Sequence, residues 1–165
     1  MPKNDDCCFT SGKNWFRYRV GAIIISDGYV LLARGDNDGY YYTVGGGVHL
    51  GERSDEAVMR EVYEETGERF QIERPLCLME NFFDGSGSLD GFNCHTIELY
   101  YLMKPQNKKE YDVVGITASG ERERMVWLPL DNLDEYDIRP AIVKKILQYI
   151  PNSFAHYINE KDGAE

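Results

Sequence analysis

The segment from Gly45 to Gly67 constrains this chain more than any other. It opens on three consecutive glycines, Gly45-Gly46-Gly47, a backbone stretch that only permissive φ/ψ requires. After a short loop, the spacing predicts a helix over Ser54–Thr66, with Gly67 as a left-handed stop. Ser54 is expected to cap it, and Asp55 and Glu56 suit the positive end of its dipole. At about 100° per residue, Val58, Met59 and Val62 form an apolar stripe, while Glu61, Glu64 and Glu65 share an arc elsewhere. Like charges at i,i+3 and i,i+4 each cost a few tenths of a kcal/mol on an exposed helix, and more when packing partly buries them. Two explanations fit. One is a solvated acidic face with an Arg60 to Glu64 pair at i,i+4. The other is a site for a hard divalent cation, because Mg²⁺ and Mn²⁺ take carboxylate oxygens and bridge to substrate phosphates.

Around this segment the chain reads mostly as strands. Residues 18–26 and 29–34 are β-rich runs separated by Asp27-Gly28, a tight-hairpin dipeptide. Further strands are expected at 40–44, 76–83, Asn93–Met103 and 122–128, with a Gly/Ser-rich loop over 84–91. A last helix, 140–150, starts with Pro140 and carries Ile142, Val143, Ile146, Leu147 and Ile150 at helical spacing. No repeat or linker interrupts the chain. Its 165 residues suffice for one hydrophobic core, so a single α/β or α+β domain over 1–165 is expected, with 1–14 a loose leader.

Charge narrows the partners. Asp and Glu number 28 against 18 Lys and Arg, a formal charge of -10, the wrong sign for counterion-release binding to duplex nucleic acid. A phosphorylated ligand therefore needs a local cation, either arginine or metal. Cys7, Cys8, Cys77 and Cys94 show no zinc-ligand rhythm and read as reduced thiols. The longest aliphatic runs, 22–25 and 30–33, are too short to span a bilayer, so no membrane is expected and a cytoplasmic location is the simplest reading. His49, His95 and His156 are too scattered for a metal triad.

The spacing Gly46, five residues, Glu52, seven residues, Arg60-Glu61-Val62-Tyr63-Glu64-Glu65-Thr66-Gly67 resembles the Nudix box, G-x5-E-x7-R-E-U-x-E-E-x-G-U, where U is a bulky aliphatic. All seven fixed positions match. At ordinary residue frequencies the chance of this is on the order of 10⁻⁶. Glu68 departs from the final aliphatic, Val44 replaces a frequent proline, and His49 a frequent glutamate. The flanks are similar in order to small Nudix hydrolases, down to Trp127-Leu128-Pro129-Leu130 in the closing strand.

The resemblance implies an α-β-α sandwich, a mixed β-sheet between helices, and metal-dependent hydrolysis of the pyrophosphate bond in a small-molecule nucleoside diphosphate derivative. It makes Glu64 and Glu65 the principal ligands of Mg²⁺ or Mn²⁺, and Glu61 a further ligand or the base. Gly46 would offer its carbonyl to the metal, and Arg60 and Glu52 would pair to lock the loop onto the helix. Arg34 is a candidate phosphate-binding cation, and Glu121 and Glu123 are candidates for a remote acid. Tyr40, Tyr41, Tyr42, Phe82 and Phe83 are candidates for stacking a base. The markers of ADP-ribose and dinucleoside-polyphosphate hydrolases are missing, since Phe83 and Asp84, then Gly85 and Ser86, stand in their places. A nucleoside triphosphate or a nucleotide sugar is the substrate expected. A homodimer stays open, as dimers are common in the family. The competing reading is a non-catalytic Nudix-fold module that binds a nucleotide as a sensor.

Overall fold

A computed structural model describes residues 5–107, 109–111, 115–116 and 120–161. Among the described residues are ten strands and two α-helices: β1 Cys8–Ser11, β2 Asn14–Ile23, β3 Ile25–Ser26, β4 Tyr29–Gly35, β5 Tyr42–Gly47, α1 Ser54–Thr66, β6 Ile72–Asp84, β7 Asn93–Met103, β8 Gly115–Ile116, β9 Arg122–Pro129, α2 Ala141–Gln148 and β10 Ala155–Asn159. The strands form one mixed sheet in the order β10-β6-β7-β2-β5-β4-β9-β8, with β1 on β2 and β3 on β4. The β10–β6 and β2–β7 pairs are parallel and the other pairs are antiparallel.

Two apolar layers flank the sheet. α1 lies across β5, β2 and β7 and buries Ala57, Val58 and Val62 against Val20, Ala22, Leu31, Ala33 and Val44. On the other side α2 buries Val143, Ile146 and Leu147 against Ile23, Val30, Leu32, Met79 and Tyr100. Strand alternation sorts the residues of the central strands between these faces. Val20 and Ala22 look toward α1, while Arg19, Gly21 and Ile23 look toward α2. Among the described residues no helix is long and apolar enough to cross a membrane.

Several local expectations change. Part of the leader expected to be loose over 1–14 belongs to the sheet, because a turn at Gly12, with φ of 58°, folds β1 back onto β2. Residues 1–4 of that leader lie outside the described residues. Asp27 and Gly28 both take positive φ, as the dipeptide predicts, but the hairpin pairs only β3 with β4, since β5 inserts between β2 and β4. Gly45, Gly46 and Gly47 complete β5, and of the three only Gly45 takes a positive φ, 145°. Ser54 does not cap α1. Arg53 occupies the N-cap position, and the Ser54 hydroxyl instead shares a 2.7 Å hydrogen bond with the Tyr101 hydroxyl. Met59 is exposed, and Ala57 takes its place in the apolar stripe. Gly67 ends α1 in the left-handed conformation, its N–H donating to the Tyr63 carbonyl. α2 is shorter than expected, since Pro140 is still extended and only introduces the helix.

Candidate active site

Arg60 organises the loop before α1. Its guanidinium is held by both Glu52 oxygens, Nε donating to Oε1 at 2.7 Å and Nη2 to Oε2 at 3.0 Å. Nη2 also donates to the Gly47 carbonyl at 3.0 Å, and Nη1 to Glu61 at 2.7 Å and Glu64 at 3.4 Å. A planar fork with several donors is the side chain able to hold a strand end, a loop carboxylate and a helix carboxylate together. Glu52 in turn accepts from the His49 N–H. These bonds, Arg60 foremost, hold the Glu52 carboxyl at about 2, against burial that opposes the shift. The i,i+4 contact to Glu64 exists, but it is the longest of the five, so the pair alone does not explain the acidic arc.

The three helix glutamates sit differently. The Glu64 side chain is 55% exposed, whereas that of Glu61 is 14% exposed and faces Gly46. A Cβ on Gly46 would lie 2.6 Å from the Glu61 carboxylate, so the glycine keeps open the space into which that carboxylate points. Glu65 is half-buried and receives one long bond, 3.4 Å, from the Gly45 N–H. Burial pushes its carboxyl well above the ordinary range, and the charges of Glu123 and Glu61 push it further. Burial raises Glu61 as well, against the pull of Arg60.

Glu123 is thus drawn toward the helix. It is buried on β9, on the α1 side in step with Met125, and accepts a 2.5 Å hydrogen bond from the Tyr42 hydroxyl. Burial and this carboxylate push the Tyr42 phenol far above its usual value. Glu121 is placed apart, near Gly35 and Tyr40.

A buried carboxylate with as little hydrogen-bond compensation as Glu65 fits a hard cation in chemical type. Glu61, Glu64, Glu65 and Glu123, like the Gly46 carbonyl, carry oxygen donors of that type. Among the described residues no group of three carboxylates, imidazoles or thiolates is already gathered into a metal cage. Gly46→Ala is expected to shift Glu61 aside. Because the clash falls on the mobile end of a side chain, Tm should change by only a few degrees while kcat falls at least about tenfold, a split checked by melting and turnover on one preparation.

Arg34 is not brought to these acids. It follows Val30 and Leu32 on the α2 side, where its Nε donates to the Asp38 carbonyl at 2.9 Å and its Nη1 to the Tyr41 hydroxyl at 3.2 Å. Among the described residues no ion pair joins it to the α1 glutamates. The α2 side also carries a cleft of about 700 Å³, lined by Tyr40, Asn81, Phe83, Arg139, Asn159 and Lys161 among others. Tyr40 connects it to the acids: its ring lies 5.9 Å from that of Tyr42, which binds Glu123. The Arg139 guanidinium covers the outer side of Tyr40 at 4.5 Å. Of the aromatic candidates, Tyr41 packs in the α2-side core, and Phe82, which also lines the cleft, stacks on His95 at 4.3 Å.

Sequence reasoning passed over a buried polar network behind the glycine strand. Arg19 and Glu98 are register partners on β2 and β7, joined at 3.2 Å. Arg19 also donates to the Thr43 carbonyl at 3.1 Å, so it ties β7 to β5. A signal existed, since Glu98 is the one acid of an otherwise uncharged β7 segment, Ile-Glu-Leu, and Arg19 directly precedes the apolar half of β2.

Comparison with known proteins agrees with this architecture. The family model for the NUDIX domain matches residues 15–149. No curated protein matches the chain significantly. Among solved structures, the MutT Nudix hydrolase from Burkholderia pseudomallei is 25% identical, with 82% of this chain and 98% of that one covered at a TM-score of 0.59. The MutT protein from Methanosarcina mazei Go1 is 21% identical, covering 84% and 94% at 0.62. An ADP-ribose pyrophosphatase from Streptococcus suis is 14% identical, covering 86% and 98% at 0.53. With the family model spanning most of its length and the mixed sheet and glutamate helix in place, this chain belongs to the Nudix family of pyrophosphohydrolases.

Proposed function

We propose that the chain hydrolyses the pyrophosphate bond of a nucleoside triphosphate or nucleotide sugar with Mg²⁺ or Mn²⁺. The observation that carries this is the burial of Glu61 and Glu65 on one face of α1, with Glu61 against Gly46, the charge of Glu123 acting on Glu65, and Arg60 occupied by Glu52. Glu64 and Glu65 are the principal metal ligands, Glu61 and Glu123 complete the acidic set, and Gly46 would offer its carbonyl to the metal. When bound, the cation neutralises the pyrophosphate oxygens and acidifies water. Arg60 acts without touching substrate, by fixing Gly47, Glu52 and Glu61 relative to one another.

The nucleoside part takes the cleft on the α2 side, where Tyr40 offers a ring face and where Arg139 and Lys161 are already paired with Asp137 and Asp84, so recognition there rests on stacking and hydrogen bonds rather than on charge. Arg34, tied to Asp38 and Tyr41, shapes the loop before Tyr40 and reaches phosphate only by releasing those partners. A cytoplasmic setting suits the four free thiols.

The test is phosphate release, coupled to a phosphatase, from nucleoside triphosphates, nucleotide sugars, ADP-ribose and dinucleoside polyphosphates with Mg²⁺, Mn²⁺ or EDTA. Metal-dependent turnover confined to triphosphates or nucleotide sugars is the expected result. Nucleotide binding with no turnover of any compound would make the chain a sensor module instead.

A further inference from the structure

The floor of the cleft is wired to a buried carboxylate that does not line it. Glu98 is 3% exposed and accepts from four donors: Thr96 at 2.7 Å, Asn81 at 3.3 Å, Tyr100 at 2.6 Å and Arg19 at 3.2 Å. Burial alone would raise its carboxyl, but Arg19 and the three neutral donors hold it below the ordinary value, so it stays an acceptor only.

That fixes the order of everything downstream. Asn81, 6% exposed, must turn its amide NH₂ toward Glu98, which leaves its Oδ1 pointing the other way. Asn81 Oδ1 accepts from Asn159 Nδ2 at 2.7 Å, so Asn159 must in turn spend an N–H inward and direct its own Oδ1 away from Asn81. Asn159 lines the cleft and is half-buried. A free asparagine inverts its amide to suit either a donor or an acceptor. Asn159 cannot do so without setting two carbonyl oxygens, or two NH₂ groups, against each other along the chain.

We propose that Asn159, held in one orientation through Asn81 by Glu98, is a specificity-determining residue that requires the ligand in the cleft to present an N–H or O–H donor to Asn159 Oδ1. The proposal rests on the reading of the cleft as the nucleoside site. Glu98 is a positioning residue, acting two hydrogen bonds away from the ligand, and Arg19 anchors it.

The experiment measures dissociation constants for AMP, GMP, CMP and UMP, and then for the tightest of them with its base N–H groups methylated, with and without Mg²⁺. The unaltered protein should prefer the donor-bearing nucleotide by about tenfold or more, because a site built around a hydrogen bond rejects the analogue lacking it. In Asn159→Ala that preference should fall to about twofold or less. In Glu98→Gln it should fall likewise, although Asn159 is still present, since an amide at position 98 accepts either orientation of Asn81. Thermal melting establishes that each variant is folded, and Asn81→Ala breaks the same wire should Glu98→Gln fail to fold. Equal weakening of both nucleotides, or an undiminished preference in the variants, overturns the proposal while leaving the cleft reading intact. No binding of any nucleotide overturns both.

Discussion

Glu65→Gln is expected to lower kcat by about 10²–10³, the loss typical when one charge-stabilising group leaves an active site. Glu64→Gln should fall in the same direction, whereas Glu56→Gln, on the exposed first turn of the same helix, should be indistinguishable from the parent. The stability of the metal-free protein should move the opposite way. Burial, Glu123 and Glu61 raise the folded-state pKa of Glu65 above its unfolded value. Its contribution is therefore fully present below the ordinary value of 4.5 and is lost as pH rises through the folded pKa. Above pH 4.5 the fold opposes an ionisation that the unfolded chain allows, and glutamine removes that cost. A gain of about 1–2 kcal/mol, some 2–8 °C in Tm, is expected without metal. Unchanged turnover in Glu65→Gln and Glu64→Gln would sink the assignment of the metal ligands.

Arg60→Ala is expected to be the most destabilising single change in this region. It leaves Glu52 and Glu61, whose side chains are only 16% and 14% exposed, without their guanidinium. Stranding a carboxylate in such a place costs about 3–5 kcal/mol, or roughly 10 °C in Tm. The acid limb of stability identifies the pair. Glu52 is held at about 2 against an ordinary 4.5, so its contribution is present above pH 4.5 and lost as pH falls toward 2. Urea unfolding between pH 2 and 5 should show that slope in the parent protein and a flattened one in Arg60→Ala. Equal slopes would mean that Arg60 and Glu52 are not coupled in solution.

The parts legible from sequence are those whose geometry is local. Helix α1, its Gly67 stop and the crowding of Glu61, Glu64 and Glu65 follow from residues within one or two turns of each other. Gly46 was legible through its spacing, and the structure adds the reason, a space filled by Glu61. What escaped depends on pairing between distant segments. Nothing near Glu123 distinguishes it from Glu121, which has the same parity; only the pairing of β9 with β4, which begins after Glu121, fixes Glu123 in step with Met125 on the α1 side. Arg34 closes a strand as expected, yet the same alternation turns it to the opposite face. The strand β10, five residues long, carries no pattern strong enough to mark it, although it contributes Asn159 to the cleft. Ser54 fails as a cap for a different reason: Tyr101, 47 positions away, offers its hydroxyl a better partner.

The placement of β2 bears on how the protein is made. This central strand is flanked by β5 and, in parallel, by β7, whose residues 93–102 lie opposite residues 14–23. Parallel pairing across such a separation must close a long loop before any contact rewards it, which places folding in the slower millisecond-to-second regime. During translation the early strands therefore leave the ribosome with one edge unfilled and the apolar side of α1 short of its full support. Until residue 102 has emerged, a nascent chain of this protein presents an open β-edge to chaperones, and to other nascent copies of itself.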